Sequence, residues 1–287
     1  MIKRLNAQAL GRFFIYVEDD MYWLNGQLAE TISLSDRSFQ YGDGCFTTML
    51  VKKGSVQYWD MHKERMQSCL DLLKIPSPDW LQVENWLDKA SIQSAKSGLK
   101  LHVSRGEGGR GYSPNHIAKM NITISAFDYP EHYNKWSTDG LSLGICSLRL
   151  GLNPMLAGHK HNNRLEQVLL KGEMDEKGFS DGIVLDINGN VIETTVANIF
   201  WVKEGIIYTP NLSYAGVKGV MQRVIFELTS KGRLDVQVGH YDLQQLYNAE
   251  EVFVSNSLLG VAPITAVGTQ TYVKGPITKQ IQEMINL

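Results

Sequence analysis

A lysine among polar, turn-forming residues is a candidate for covalent chemistry, and one stands in Ala157-Gly158-His159-Lys160-His161-Asn162-Asn163-Arg164-Leu165-Glu166. Most lysines are solvated surface residues, but a crowded one can lose its proton, act as a base and bond covalently to a carbonyl carbon. Glu193 lies just beyond an Asn188-Gly189 turn, and read alone it is an exposed strand-end carboxylate. Gly219 precedes an apolar-periodic segment starting near Val220. It is either a plain turn residue or the start of a helix whose free N–H groups could hold a phosphate. Arg105 precedes Gly106-x-Gly108-x-x-Gly111 and Arg110 lies within it. That spacing fits a dinucleotide loop, but Tyr112-Ser113-Pro114-Asn115 follows instead of a helix, and there is no Walker A pattern. Two readings stay open for the loop: a solvated hairpin tip, or two arginines offered to substrate carboxylates, which guanidinium groups bind bidentately. His159 and His161 come with no H-E-x-x-H and no carboxylate cluster nearby, so no metal site is expected.

The elements that must position these groups show in the periodicity. Met66, Cys69, Leu70 and Leu73 are spaced for one helix face, as are Val83, Trp86, Leu87 and Ala90 behind a Ser77-Pro78 start. Asn163-x-x-Glu166 reads as a capping box with Leu165, Val168 and Leu169 on one face behind it. Met221, Val224, Ile225 and Leu228 repeat the pattern, and Ile277, Ile281, Met284 and Ile285 close the chain. Strand-like runs meet at Gly54, at Asn188-Gly189 and at Glu204-Gly205, and two more are LKLHVSR and MNITISAF. Consecutive hairpins favour antiparallel pairing over a doubly wound parallel sheet, an α+β arrangement. The polar stretch from Tyr129 to Gly140 is the linker candidate. The expected division is an extension over 1–20, a small domain over 21–130, a linker over 131–140 and a larger domain over 141–287.

The 287 residues carry 28 Lys+Arg against 30 Asp+Glu, a formal charge of -2. That balance leaves no basic excess for a phosphate backbone, so nucleic acid is not the expected partner. Three cysteines without a C-x-x-C pair suit a reducing compartment. No apolar run is long enough for a membrane helix, and Asn6, Gln8 and Arg12 interrupt any signal-like core, so a cytoplasmic protein is expected.

Together these segments resemble the fold-type IV family of pyridoxal-phosphate enzymes, which includes branched-chain aminotransferases, D-amino acid aminotransferases and aminodeoxychorismate lyases. The resemblance starts at about Met21 and runs to the C-terminus, so residues 1–20 read as an extension. It is carried by S-D-R-x-x-Q-x-G-D-G-C-F-T-T (Ser35 to Thr48), S-R-G-x-G-G-R-G-Y (Ser104 to Tyr112) and K-H-x-N-R-L-E-Q-V-L (Lys160 to Leu169), all three in the lyase pattern. It implies a small N-terminal α/β sandwich, a larger C-terminal domain with a β pseudo-barrel, pyridoxal 5'-phosphate at their interface, and a homodimer. By position it implies that Lys160 carries the cofactor and that Glu193 pairs with its pyridine nitrogen. Arg65 of H-K-E-R-M, the backbone at Val220 and Met221, and Ser257 would grip the phosphate, with Asn198 beside the cofactor. Arg105 and Arg110 would take substrate carboxylates. The implied reaction converts 4-amino-4-deoxychorismate to 4-aminobenzoate and pyruvate for folate synthesis, with Lys160, Thr47 or Thr48 supplying the leaving-group proton. Thr47 stands where the aminotransferases often have an acidic residue, and Gly219-Val220-Met221-Gln222 replaces their G-I-T-R; both departures fit the lyase pattern. The alternatives are an aminotransferase on the same scaffold and a non-catalytic cofactor-binding protein.

Overall fold

The computed structural model describes residues 21–109, 111–115, 119–232 and 234–286. The extension expected over 1–20 lies outside them. The first half of the chain forms β1 (Met21–Leu24), β2 (Gln27–Leu28), α1 (Arg37–Tyr41), β3 (Gly44–Lys52), β4 (Ser55–Val56), α2 (Trp59–Leu73), α3 (Trp80–Ala90), β5 (Lys96–Ser104) and β6 (Asn121–Asp128). Its strands make one antiparallel sheet in the order β2-β1-β6-β5-β3-β4. Alternation along β3 decides what each residue meets. Cys45, Met49 and Val51 turn toward Met66, Cys69 and Leu70 of α2 and join Leu99, Leu101 and Val103 in one core. Each large side chain buried there contributes about 1.5–3 kcal/mol.

The segment expected as a linker is a helix, α4 (His132–Asp139). Its Tyr133 and Trp136 pack on the core of the second half, which explains the helix: the aromatic pair gives an otherwise polar stretch something to bury. Beyond it come β7 (Leu141–Leu150), α5 (Leu165–Glu176), β8 (Gly182–Asp186), β9 (Val191–Thr194), β10 (Asn198–Lys203), β11 (Ile206–Pro210), α6 (Val220–Lys231), β12 (Val236–Gly239), α7 (Leu243–Tyr247), β13 (Glu251–Asn256), β14 (Gly260–Val267), β15 (Gln270–Thr271) and α8 (Pro276–Asn286). The second sheet runs β12-β11-β10-β13-β14-β7-β8-β9, with β15 on β14, and it curls so that β9 returns against β10 and β11. The three expected hairpins form as antiparallel pairs: β3 with β4, β8 with β9, and β10 with β11. Parallel pairing enters at β11–β12, β14–β7 and β7–β8. Both faces of β10 are buried: Ile199 and Trp201 inside the curl, Phe200 and Val202 under α6 and α8. That is why ANIFWV reads as a continuous apolar run.

Two expected helix starts differ. Asp79, not Ser77, caps α3 by accepting from the Gln82 N–H. No capping box starts α5: Asn163 donates instead to the Gly42 carbonyl, and Glu166 turns to the Gly151 N–H. The residues α5 buries are Leu170 and Met174, while Leu165, Val168 and Leu169 stay exposed at 71%, 63% and 55%.

Candidate active site

Lys160 sits on an extended segment laced to β3 on one side and to the 216–218 loop on the other. The Phe46 N–H donates to the Lys160 carbonyl and the Asn162 N–H to the Gly44 carbonyl, both at 3.0 Å. On the other side Gly158 donates to Gly216 at 2.9 Å and accepts from Lys218 at 3.0 Å. Gly44 permits the approach, because a Cβ there would meet the Val103 carbonyl at 2.1 Å. The Lys160 ammonium lies 4.6 Å from the centroid of the Phe46 ring. Burial, helped by the Arg65 and Arg164 cations and opposed by Glu193, brings the amine down to about 7. A large fraction of Lys160 is therefore neutral at physiological pH.

Glu193 is buried on β9 rather than exposed at a strand end, and its Oε2 accepts from the Val217 N–H at 2.9 Å. Burial pushes the carboxyl up to about 7, although that N–H and the Arg164 and Lys160 charges pull it down. Lys160, Glu193, Arg65, Asn198 and Ser257 line one cleft, together with Val217 and Gly219. The structure thus gathers five of the residues expected at the site. Val220 and Met221 open α6 directly after Gly219, which lines the cleft, and their side chains are buried in the core. No side chain caps that helix, which leaves its first-turn N–H groups for an anion. Gly219 is needed there, since a Cβ would meet the Asn198 side-chain oxygen at 2.1 Å.

Pyridoxal phosphate fits these residues. Among the described residues, Arg65 Nε and Ser255 Oγ are buried without a partner, as groups awaiting phosphate oxygens would be. Burial lowers Arg65 only to about 10, so it stays cationic at neutral pH. In the same cleft the buried Glu193 makes no salt bridge among the described residues, which suits a protonated pyridine nitrogen.

Two expected residues fall elsewhere. Thr47 is fully buried on the α2 side of β3, its hydroxyl bonded to His62 and Arg65, while Thr48 lines the cleft. Arg105 does not reach the cleft. It pairs with Asp43 at 2.7 Å and donates to the Leu73 and Lys74 carbonyls, so its guanidinium is committed to the scaffold. Arg37 donates to the same Asp43 oxygen, Oδ2, and also binds the Gly111 and Tyr112 carbonyls. The two guanidinium groups outweigh burial and hold the Asp43 carboxyl below its ordinary range. Arg110 lies outside the described residues. Cleft residues that sequence reasoning missed are Tyr133, Arg164, Gln167, Thr195 and Asn256. Arg164 stood inside the lysine motif and could have been found there; Thr195, held by the buried Asp181, carried no local signal.

The amino-transferase class IV family matches residues 44–267. The chain is 46% identical to the aminodeoxychorismate lyase of Vibrio harveyi, over 93% of this chain and 100% of that one. It is 26% identical to the branched-chain-amino-acid aminotransferase of Escherichia coli, over 92% and 91% of the two chains. The crystal structure of 4-amino-4-deoxychorismate lyase from Pseudomonas aeruginosa superposes with a TM-score of 0.87 at 32% identity, covering 92% of this chain and 98% of that one. A PLP-bound hypothetical aminotransferase from Mycobacterium tuberculosis shares the fold at 19% identity, with a TM-score of 0.82 and coverage of 93% and 97%.

Proposed function

Because the chain belongs to the amino-transferase class IV family, we propose that it works as a pyridoxal-phosphate-dependent aminodeoxychorismate lyase, releasing 4-aminobenzoate and pyruvate for folate synthesis. The observation that carries the reading is likeness to a lyase along the whole of that relative, at 46% identity against 26% for the aminotransferase. The catalytic set in the cleft supports it. When bound, pyridoxal phosphate supplies the electron sink that lets a C–H bond beside the substrate amine ionise.

This chain's own residues do the rest. Arg65, Ser257 and the α6 N-terminus would hold the phosphate. Glu193 would face the pyridine nitrogen and favour its protonated form, and the Val217 N–H fixes that carboxyl group. Lys160 would attach the cofactor at its Nζ and, as a free amine, would take the proton from ring C4; an amine titrating near 7 is matched to that task. Loss of the enolpyruvyl group from C3 makes the ring aromatic, which drives the step forward. Thr48 is the β3 hydroxyl that faces the cleft, so it or Lys160 gives the proton that completes pyruvate. Arg164 places a second cation near Glu193 and favours its ionised form.

The exposed stripe of Leu165, Val168 and Leu169 on α5 supports a homodimer, since a monomer gains nothing by leaving such a face in water. Sedimentation at twice the chain mass is the expected result, and a monomer at micromolar concentration would contradict it. All three cysteines are free and buried, which suits a cytoplasmic enzyme, and no described helix is long and apolar enough to cross a membrane.

The test uses aminodeoxychorismate made in place from chorismate, glutamine and the synthase that supplies it. Fluorescent 4-aminobenzoate and equimolar pyruvate should appear without any added keto acid. A transaminase needs a keto acid to turn over repeatedly, whereas an elimination does not. Amino transfer from branched-chain or D-amino acids with no 4-aminobenzoate would overturn the lyase reading, and no turnover at all would favour a binding protein.

A further inference from the structure

Behind the cleft, three side chains form a hydrogen-bonded row. Arg65 Nη2 donates to Thr47 Oγ1 at 2.5 Å, and Thr47 Oγ1 lies 2.6 Å from His62 Nδ1. Thr47 and His62 are both fully buried. A guanidinium only donates, so the Thr47 oxygen accepts from Arg65. His62 Nδ1 is the acceptor within reach of the Thr47 proton, in the neutral tautomer that carries its ring proton on Nε2. Burial and the neighbouring Arg65 charge hold the imidazole neutral, which leaves one ring nitrogen free to accept. The arginine's Nε is meanwhile buried with no protein partner, on a side chain that lines the cleft.

We propose that Thr47 and His62 are positioning residues for the cofactor phosphate: they anchor one arm of the Arg65 guanidinium so that its remaining N–H groups meet the phosphate without first giving up rotamer freedom. Arginine is a rotamer-rich side chain, and ordering it before binding removes a cost from binding. The assignment also takes Thr47 out of the chemistry. Its one proton is committed to His62, so it has none to give a leaving group. This inference rests on the cofactor reading above.

The test compares pyridoxal phosphate with pyridoxal, which lacks only the phosphate, in absorbance titrations of the protein stripped of cofactor. Thr47→Val keeps the shape and removes the hydroxyl. It should weaken pyridoxal phosphate binding by about 10- to 100-fold, the worth of one hydrogen bond to a charged group. Pyridoxal binding should not change, and Thr47→Ser should restore the wild-type value. In an Arg65→Leu background, Thr47→Val should cost nothing more. Should the valine variant fail to fold, His62→Leu removes the acceptor from the other end and should show the same ligand-selective loss. Equal weakening of both ligands, an unchanged phosphate preference, or failure of serine to restore binding overturns the proposal. Wild-type protein that binds neither ligand would overturn the cofactor reading itself; wild-type binding with an indifferent Thr47→Val removes only the positioning role.

Discussion

Lys160→Met should make the cofactor-free protein more stable, and by an amount that depends on pH. Burial and two nearby arginines hold the Lys160 amine at about 7, against 10.5 for a free lysine. The folded state therefore binds the proton less well than the unfolded state. Below pH 7 the charged amine sits in the folded protein at full penalty; the penalty falls as pH rises from 7 and is gone above 10.5. Each tenfold change in proton affinity is worth about 1.4 kcal/mol, which sets an upper bound of roughly 4–5 kcal/mol. Methionine keeps the aliphatic stem but deprives Glu193 of a favourable charge, so a gain of about 2–4 kcal/mol at pH 7 is the expected net result. Urea unfolding of both proteins at pH 6, 7, 8.5 and 10 measures it. The difference between their midpoints should be largest at pH 6 and 7 and close to nothing at pH 10. An equal difference at every pH would mean that the gain comes from packing, and a destabilised variant would refute the reasoning about a strained amine.

Glu193→Gln should leave cofactor bound but slow turnover by about two orders of magnitude or more, read in the 4-aminobenzoate assay, because an amide cannot keep a proton on the pyridine nitrogen; a near-normal rate would make Glu193 a structural carboxylate. The same substitution should stabilise the cofactor-free protein above pH 7 and not below 4.5, since the Glu193 carboxyl is held up at about 7 and its ionised form is the strained one. Arg105→Ala should act on the fold, costing about 1.5–3 kcal/mol by taking one of two charged hydrogen bonds from the half-buried Asp43, which keeps Arg37. A raised KM at unchanged thermal stability would instead place Arg105 at a substrate carboxylate.

The helices and hairpins that the sequence made legible are those whose partners are local. Alternation in β3 and the periodic faces of α2 and α6 follow from side-chain spacing alone. The α5 start was misread because Asn163 has its partner at Gly42, a contact across the chain that no local pattern records. The two threonines show the same limit at the site. Their order in the sequence says that one hydroxyl faces the cleft and one faces α2, but parity alone does not say which. The signal was present in Cys45, Met49 and Val51, the apolar residues in phase with Thr47. Arg105 was legible as important and misleading as to why. A guanidinium near glycines suits a substrate carboxylate, yet Asp43 lies in the signature beside it and claims the charge first.

The lacing of residues 158–162 to β3 and to the 216–218 loop bears on how substrate enters. Backbone hydrogen bonds on either side of Lys160 tie it to β3 in one half and to residues 216–218 in the other. A hinge that parted the two halves would have to break this shared seam, and with it the placement of the amine. The molecule is a clasp riveted at the point where it would have to open. Access must come from loops and side chains at the rim, so turnover should be insensitive to solvent viscosity on the scale that slows rigid-body closure.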